Sequence, residues 1–265
     1  MRRKTSTARI AAFFAAAVAT FALSPAAAQT GAPDGITVTL GLGAGIAPDY
    51  FGSKTTSVGP TGAFALQELI LPGGLGFGSE AARPFEPGFG VRGAFRYIPS
   101  RRASKNRELR GLDTIDRTVE LGVGVVHVTE FGRVYGEVRR GIGGHKGWVG
   151  EVGVDAILRP SPQLAIAAGP RARWGDKTFT RTYFGVTADE AANSDFTAFR
   201  PGGGIVSTGL EVNARYDFQN GWGLLGRVGW DRLRGDAARS PITRQGSRDQ
   251  YAARLIVTRS FSFGR

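Results

Sequence analysis

Between residues 117 and 144 the chain changes character at every second position. In "RTVELGVGVVHVTEFGRVYGEVRRGIGG", Val119, Leu121, Val123 and Val125 share one parity, while Thr118, Glu120, Gly122 and Gly124 share the other. After Glu130-Phe131-Gly132 the pattern resumes, with Val134 and Val138 on one face and Arg133, Tyr135, Glu137 and Arg139 on the other. A period of two marks a strand whose faces meet different surroundings. The same alternation recurs near 36–47, 57–67, 87–98, 148–158, 163–174, 199–218, 222–233 and 249–263. In 199–218, for example, Val206, Leu210, Val212, Ala214 and Tyr216 oppose Ser207, Glu211, Asn213, Arg215 and Asp217. No helical stripe of comparable length follows residue 28, so the pattern predicts an all-β, antiparallel fold.

Alternation alone does not say which face is wet, because a soluble sandwich or a lipocalin-like barrel also alternates. Three features put the apolar face outside, in lipid. Trp148, Trp174, Trp222 and Trp230 sit near strand ends on the apolar parity, where an interfacial aromatic girdle would hold them. The segments run about nine to twelve residues, enough for a tilted strand to cross a bilayer. Connections are tight at Glu130–Gly132, Arg159–Pro162 and Gln219–Gly221 but long and polar at 99–116, 175–198 and 234–248, the asymmetry of periplasmic turns and external loops. The expected fold is a closed antiparallel transmembrane β-barrel of about ten strands, starting and ending at the periplasmic side. Closure leaves no exposed edge, as a bilayer demands. A further split hidden in "ILPGGLGFGSE" (70–80) or within 199–218 would make the count twelve.

The first residues place the chain in the envelope. Arg2, Arg3, Lys4 and Arg9 precede the apolar run "IAAFFAAAVATFAL" (10–23), and Ala26-Ala27-Ala28 supplies the small-residue cleavage pattern. Residues 1–28 are expected to be a cleaved secretory signal, cut before Gln29, with 29–265 forming the barrel. The Arg2-Arg3 pair lacks the following apolar motif of a twin-arginine signal. Removing the four signal cations takes the formal net charge from +12 to +8. In an exported chain that excess suits the phosphates of lipopolysaccharide, and nucleic acid is not an expected partner. There is no cysteine, so no disulfide framework supports the fold.

Candidate chemistry is sparse. Of the two histidines, His127 lies on the apolar parity near a strand end, and His145 lies in the tight Gly143–Gly147 connection. Neither has a serine or paired aspartates nearby in sequence, and no metal-ligand spacing or phosphate loop is present. "GLGAGIAPDYFG" imitates a nucleotide motif only because its glycines alternate along a strand. No catalytic, cofactor-binding or metal residues are therefore expected, and no cofactor. Charges of the polar parity are mixed in sign. That points to a paired filling of the interior, since an unpaired buried charge is costly, whereas a selective pore would favour one sign. Arg101, Arg102, Lys105, Arg107 and Arg110 form a basic loop suited to lipid A phosphates or to plain solvation. Thr187 and Glu190 have capping-box spacing, although an ordered loop turn is the expected outcome there. In the last strand Tyr251, Leu255, Val257, Phe261 and Phe263 share the lipid-facing parity, interrupted by Arg259, which is expected to snorkel to the periplasmic headgroups.

Four segments carry a likeness to known proteins: "PDYFGSKT" (48–55), "ELRGLDTIDRTVELGV" (108–123), "YFGVTADEAANS" (183–194) and "RLRGDAARSPIT" (232–243). Together they resemble the MipA/OmpV family of outer-membrane proteins, the family of the MltA-interacting protein, over essentially the whole mature chain. The resemblance implies an outer-membrane β-barrel without catalytic residues. It also implies a scaffold or interaction role in the cell envelope, with periplasmic murein-processing enzymes such as a lytic transglycosylase as partners. A narrow channel or transport barrel for small solutes is the alternative.

Overall fold

The computed structural model describes residues 22–24, 35–71, 75–78 and 87–264. The expected signal segment lies outside the described residues except for the three-residue strand β1 (Ala22–Ser24). The other strands are β2 (Gly35–Pro48), β3 (Thr56–Leu71), β4 (Leu75–Gly78), β5 (Gly88–Ile98), β6 (Thr118–Val128), β7 (Gly132–Gly143), β8 (Trp148–Ser161), β9 (Leu164–Gly175), β10 (Gly204–Asp217), β11 (Trp222–Leu233) and β12 (Asp249–Gly264). All ten strands expected from the alternation are present. β4 is an addition, formed by the glycine-rich 70–80 piece, and β10 is a single uninterrupted strand.

β2 to β12 form one continuous antiparallel sheet of eleven strands in the order β4-β3-β2-β12-β11-β10-β9-β8-β7-β6-β5. Nearly every neighbour along the chain is a neighbour in space, and β12 returns to pair with β2 from Ala253↔Ile46 to Gly264↔Gly35. The two outer strands of the sheet both face β1, which pairs with β4 and with Val91–Arg92 of β5.

The two faces are inverted relative to a water-soluble protein. Leu42 is 80% exposed, and Val123, Leu158 and Val228 are comparably open on the outer face. Glu120 and Asp155 of the inner face are fully or almost fully buried. Continuous exposed apolar surface of this extent marks contact with lipid or protein. Trp148, Trp174 and Trp230 ring the end carrying the long loops, and Trp222 stands at the tight-turn end. His127 is on the outer face as expected. Glycine on the inner face lets neighbouring strands coil closely: a Cβ on Gly122 would run into the backbone carbonyl of Val138 on β7.

One face assignment is corrected. Val206 was expected on the outer parity with Leu210, but the register slips between Ile205 and Ser207 at the β9 pairing. This bulge turns Ile205 outward and Val206 inward, where it is buried. A one-residue insertion reverses every side chain before it.

Arg259 behaves as its parity requires. Its guanidinium stacks over Trp222 and Phe261, at 5.1 and 5.9 Å, and Nη1 donates to the Asn220 carbonyl in the tight turn at 2.6 Å. The charge thus reaches the strand end along aromatic surface. Phe263, the last aromatic of β12, is the expected anchor for membrane assembly. Deleting Gly264-Arg265 should leave the heat-modifiable, folded fraction in outer membranes nearly unchanged, whereas Phe263→Ala should lower it sharply. Equal yields for Phe263→Ala and wild type would refute the anchor.

Candidate functional site: an ion-paired interior under a folded cap

The long connections fold into a cap over one end of the sheet. α1 (Lys177–Phe184) begins at Asp176, whose carboxylate accepts from the Phe179 amide at 2.8 Å. α2 (Ala188–Ala192) carries a complete capping box between Thr187 and Glu190, so a short helix stands where a loop turn was expected. The reciprocal bonds satisfy two amides that a plain turn would leave to water. α3 (Gly235–Arg239) and α4 (Pro241–Gln245) complete the cap.

Two buried apolar clusters hold these pieces together. Phe179, Tyr183 and Phe184 of α1 pack with Val206, Leu233 and Ala237. Phe51 meets the Tyr183 ring edge-on at 4.9 Å. The second cluster joins Tyr50, Leu109, Leu112, Val186, Phe196 and Ile242, each from a connection between strands.

The four segments that carried the family likeness meet here. The Tyr50 hydroxyl donates to Glu108 at 3.1 Å, and the Asp113 amide donates to Glu190 Oε1 at 2.9 Å. Ser240 Oγ donates to the Phe184 carbonyl at 2.7 Å. Gly52 packs against Thr243 and Gly111 against the Asn193 carbonyl, both glycines in the left-handed region at φ 91° and 88°. Burial pushes the Tyr183 hydroxyl up to about 12. Arg101, expected as part of a basic surface loop, is instead buried, and its Nη1 donates to the Tyr183 carbonyl at 3.1 Å. Arg102, Lys105, Arg107 and Arg110 remain exposed.

Below the cap the inner face is a network of arginines and carboxylates, as the mixed charges of the polar parity predicted. Glu120 accepts from Arg139 Nε at 2.9 Å and pairs with His145 Nε2 at 3.1 Å. Arg139 also pairs with Glu137. Glu151 accepts from Arg173 Nε at 2.8 Å and from the Tyr135 hydroxyl at 2.7 Å. Arg173 continues to Asp231. Asp155 is shared by Arg133, at 2.8 Å, and Arg171, also at 2.8 Å, and both guanidiniums stand 5.2 Å from the Tyr135 ring. Val126, Val128, Ile157 and Ala167 pack beside Tyr135 toward the tight-turn end.

The sequence placed His145 in a tight connection with no serine or paired aspartates nearby; the structure makes it the link between network and cap. The Gly147 amide donates to Nδ1 at 3.2 Å, which leaves Nε2 to carry the proton toward Glu120. Its ring lies edge-on to Phe179 and Tyr183, at 5.1 and 5.5 Å. Flanking glycines signalled the room for it: a Cβ on Gly141 would overlap the imidazole. Among the described residues no cluster of His, Cys, Asp and Glu suits a metal ion.

Residues 40–261 match the model of the family described as MltA-interacting protein MipA. The MltA-interacting protein of Escherichia coli K12 is 23% identical over 146 residues, covering 52% of this chain and 56% of that protein; the Shigella flexneri protein matches equally. The aligned region thus spans about half the length of these curated relatives. Among solved structures, an outer-membrane channel from Pseudomonas putida F1 is 15% identical with a TM-score of 0.47, covering 90% of this chain and all of the other. The translocator domain of the autotransporter NalP from Neisseria meningitidis is 10% identical with a TM-score of 0.35, covering 88% and 90%.

Proposed function

Because the chain belongs to the MipA family, we propose that it is a non-enzymatic outer-membrane β-barrel that acts by interaction in the cell envelope, with its interior sealed. The observation that carries this reading is the cap. Phe179, Phe184 and Ile242 are buried to 2% exposure or less across the mouth, a packing that a water-filled pore does not have. The paired charges beneath it leave little net field to drive an ion through. Relatives are named for interaction with MltA, and a murein-processing enzyme of the periplasm is the proposed class of partner. It would be met at the tight-turn end of the sheet. Exposed Arg102, Lys105, Arg107 and Arg110 at the opposite rim suit lipopolysaccharide phosphates.

Strand directions bear on closure after signal removal. β4 and β5 are each antiparallel to β1, so they run the same way and cannot pair antiparallel with each other. β3 and β5 run in opposite directions. Loss of residues 1–28 would remove β1, and the mature barrel would then close β3 onto β5 with ten strands, an even number with both ends on one side.

The channel alternative draws on a chamber of about 490 Å³ beneath the cap. Planar-bilayer recording of the purified protein decides between the two: little or no steady conductance is expected. Large, stable, ion-selective steps would replace the interaction reading with the channel. Recovery of a murein-processing enzyme by cross-linking from intact envelopes would support the partner class, and recovery of the protein itself as a soluble periplasmic species would sink the barrel.

A further inference from the structure

Two outward-facing arginines stack on tryptophan, one at each end of the sheet. Arg259 lies over Trp222 at the tight-turn end, where the Asn220 carbonyl accepts from its Nη1 at 2.6 Å. Arg140 lies over Trp148 at the cap end, its guanidinium carbon 5.3 Å from the ring centroid. This side chain is exposed, and among the described residues no acceptor or carboxylate reaches it. A third outward arginine, Arg232 of β11, is answered by Asp249 at 3.0 Å, which also accepts from the Trp230 indole N–H at 3.1 Å. The outward charge of β11 is therefore neutralised, and that of β7 is not.

Register gathers three more cations around Arg140. Leu121, Arg140 and Trp148 form one row across β6, β7 and β8, and Trp174 of β9 follows opposite Gly150. Above this row the Arg117 carbonyl accepts from the Gly144 amide and the Trp148 carbonyl from the Asp176 amide, at 3.1 and 2.9 Å. The ends of these four strands thus lie side by side, and Arg117, Lys146 and Lys177 stand exposed on them. Two acids share the same stretches. Asp116 is exposed, whereas the Asp176 carboxylate is already engaged by the Phe179 amide. Below the row, Leu121, Val138 and Val152 are exposed on the apolar belt. Tryptophan of an interfacial girdle marks the depth of the lipid headgroups, so the stacked guanidinium stands at that depth. A planar guanidinium matches phosphate oxygens in pairs, and lysine adds a point charge. A dissolved anion would gain only from the charge, whereas an anionic lipid gains from the charge and from the apolar surface directly below it.

From this arrangement we infer that the outer wall of β6–β9 binds a phosphorylated glycolipid of the outer leaflet, of the lipid A class. Its phosphate is held by Arg140 and Lys146, and its acyl chains lie along Leu121, Val138 and Val152. The inference rests on the outer-membrane reading and deepens it. The 101–110 cations suit phosphates reached from the water side, while this site holds one lipid against the wall of the sheet. It does not depend on the protein partner.

The test is native mass spectrometry of the protein extracted from outer membranes, freed of bound lipid in detergent with EDTA. It is titrated with lipid A and with the same lipid stripped of its phosphates. Lipid A is expected to bind saturably and roughly tenfold or more tightly than the stripped lipid. Each cation near a membrane surface is worth about a factor of five in affinity for anionic lipid. Arg140→Gln combined with Lys146→Gln should therefore weaken lipid A binding by roughly tenfold or more and leave the stripped lipid unchanged. Arg259→Gln removes the same stacked geometry at the other end and should bind as wild type. Inorganic phosphate at concentrations equal to the lipid should displace nothing. Equal affinity for the two lipids would overturn the site, as would undiminished lipid A binding in the double variant. Displacement by inorganic phosphate would assign the cations to a dissolved anion and overturn the lipid. The heat-modifiable band keeps the readings apart: its absence in wild type would overturn both, whereas failed lipid binding with the band retained overturns the site alone.

Discussion

Glu120→Ala should lower stability by about 3 kcal/mol, because two buried donors, Arg139 Nε and His145 Nε2, lose their acceptor. Arg139 and His145 both direct nitrogen at this carboxylate, at 2.9 and 3.1 Å, and all three groups lie out of water. Arg139 retains Glu137, but its Nε loses the Glu120 acceptor, and the His145 ring loses the bond that orients it under α1. Glu120→Gln keeps an acceptor oxygen and should cost less. Urea unfolding in detergent, followed by the heat-modifiable band, measures both variants. Equal losses for Glu120→Ala and Glu120→Gln would mean that an acceptor at this position does not supply the stability.

Phe184→Ala should leave the strands paired while opening the cap. The ring is wholly buried and meets Phe51 and Phe179, with centroids 6.0 and 6.4 Å away. Truncating a core phenylalanine costs about 3–5 kcal/mol. Here the loss falls on the cap, where α1 packs on α3 and α4 and on the ends of β8 and β9. Cap opening is then a local event, and its equilibrium should move by roughly a hundredfold or more. Limited proteolysis reads this as rapid cutting within 176–203 with the strands left intact. In planar bilayers the same variant should show brief openings absent from wild type. If proteolysis is unchanged, α1 does not depend on this ring.

Much of the sheet was legible in the chain because alternation reports burial one residue at a time. Val119, Leu121 and Val123 declare their face without help from any distant residue, and the ten strands followed. Val206 escaped because a bulge inserts a residue without altering composition. The sequence leaves β4 open as a hidden split in 70–80, because its four residues, Leu75–Gly78, are too few to establish a period. The cap was legible only in pieces. The Thr187–Glu190 spacing was visible, but what favours helix over turn is the additional bond from Asp113, 77 residues away. Arg101 looked like surface charge because the carbonyl it serves belongs to α1. His145 had no neighbour in sequence to suggest a role; its partners come from β6 and α1. Short-range patterns thus define the sheet, whereas the site depends on contacts between segments that are local to none of them.

The pairing of β12 with β2 differs from the tight-turn hairpins, because no turn joins its strands. Gly264 and Gly35 are register partners, which puts β2 beside the last strand. A hairpin such as β6–β7 can zip from its turn, but this seam must be found by strands separated by almost the whole chain. Loop-closure entropy grows only as the logarithm of that separation, so the penalty is mainly kinetic. The seam is therefore the join that an assembling chain makes last. By the same proximity, a short covalent linker from Gly264 to Gly35 would turn the β2–β12 segment into a ring, and a new start could be cut at the Thr129–Phe131 turn with the neighbours within that segment preserved.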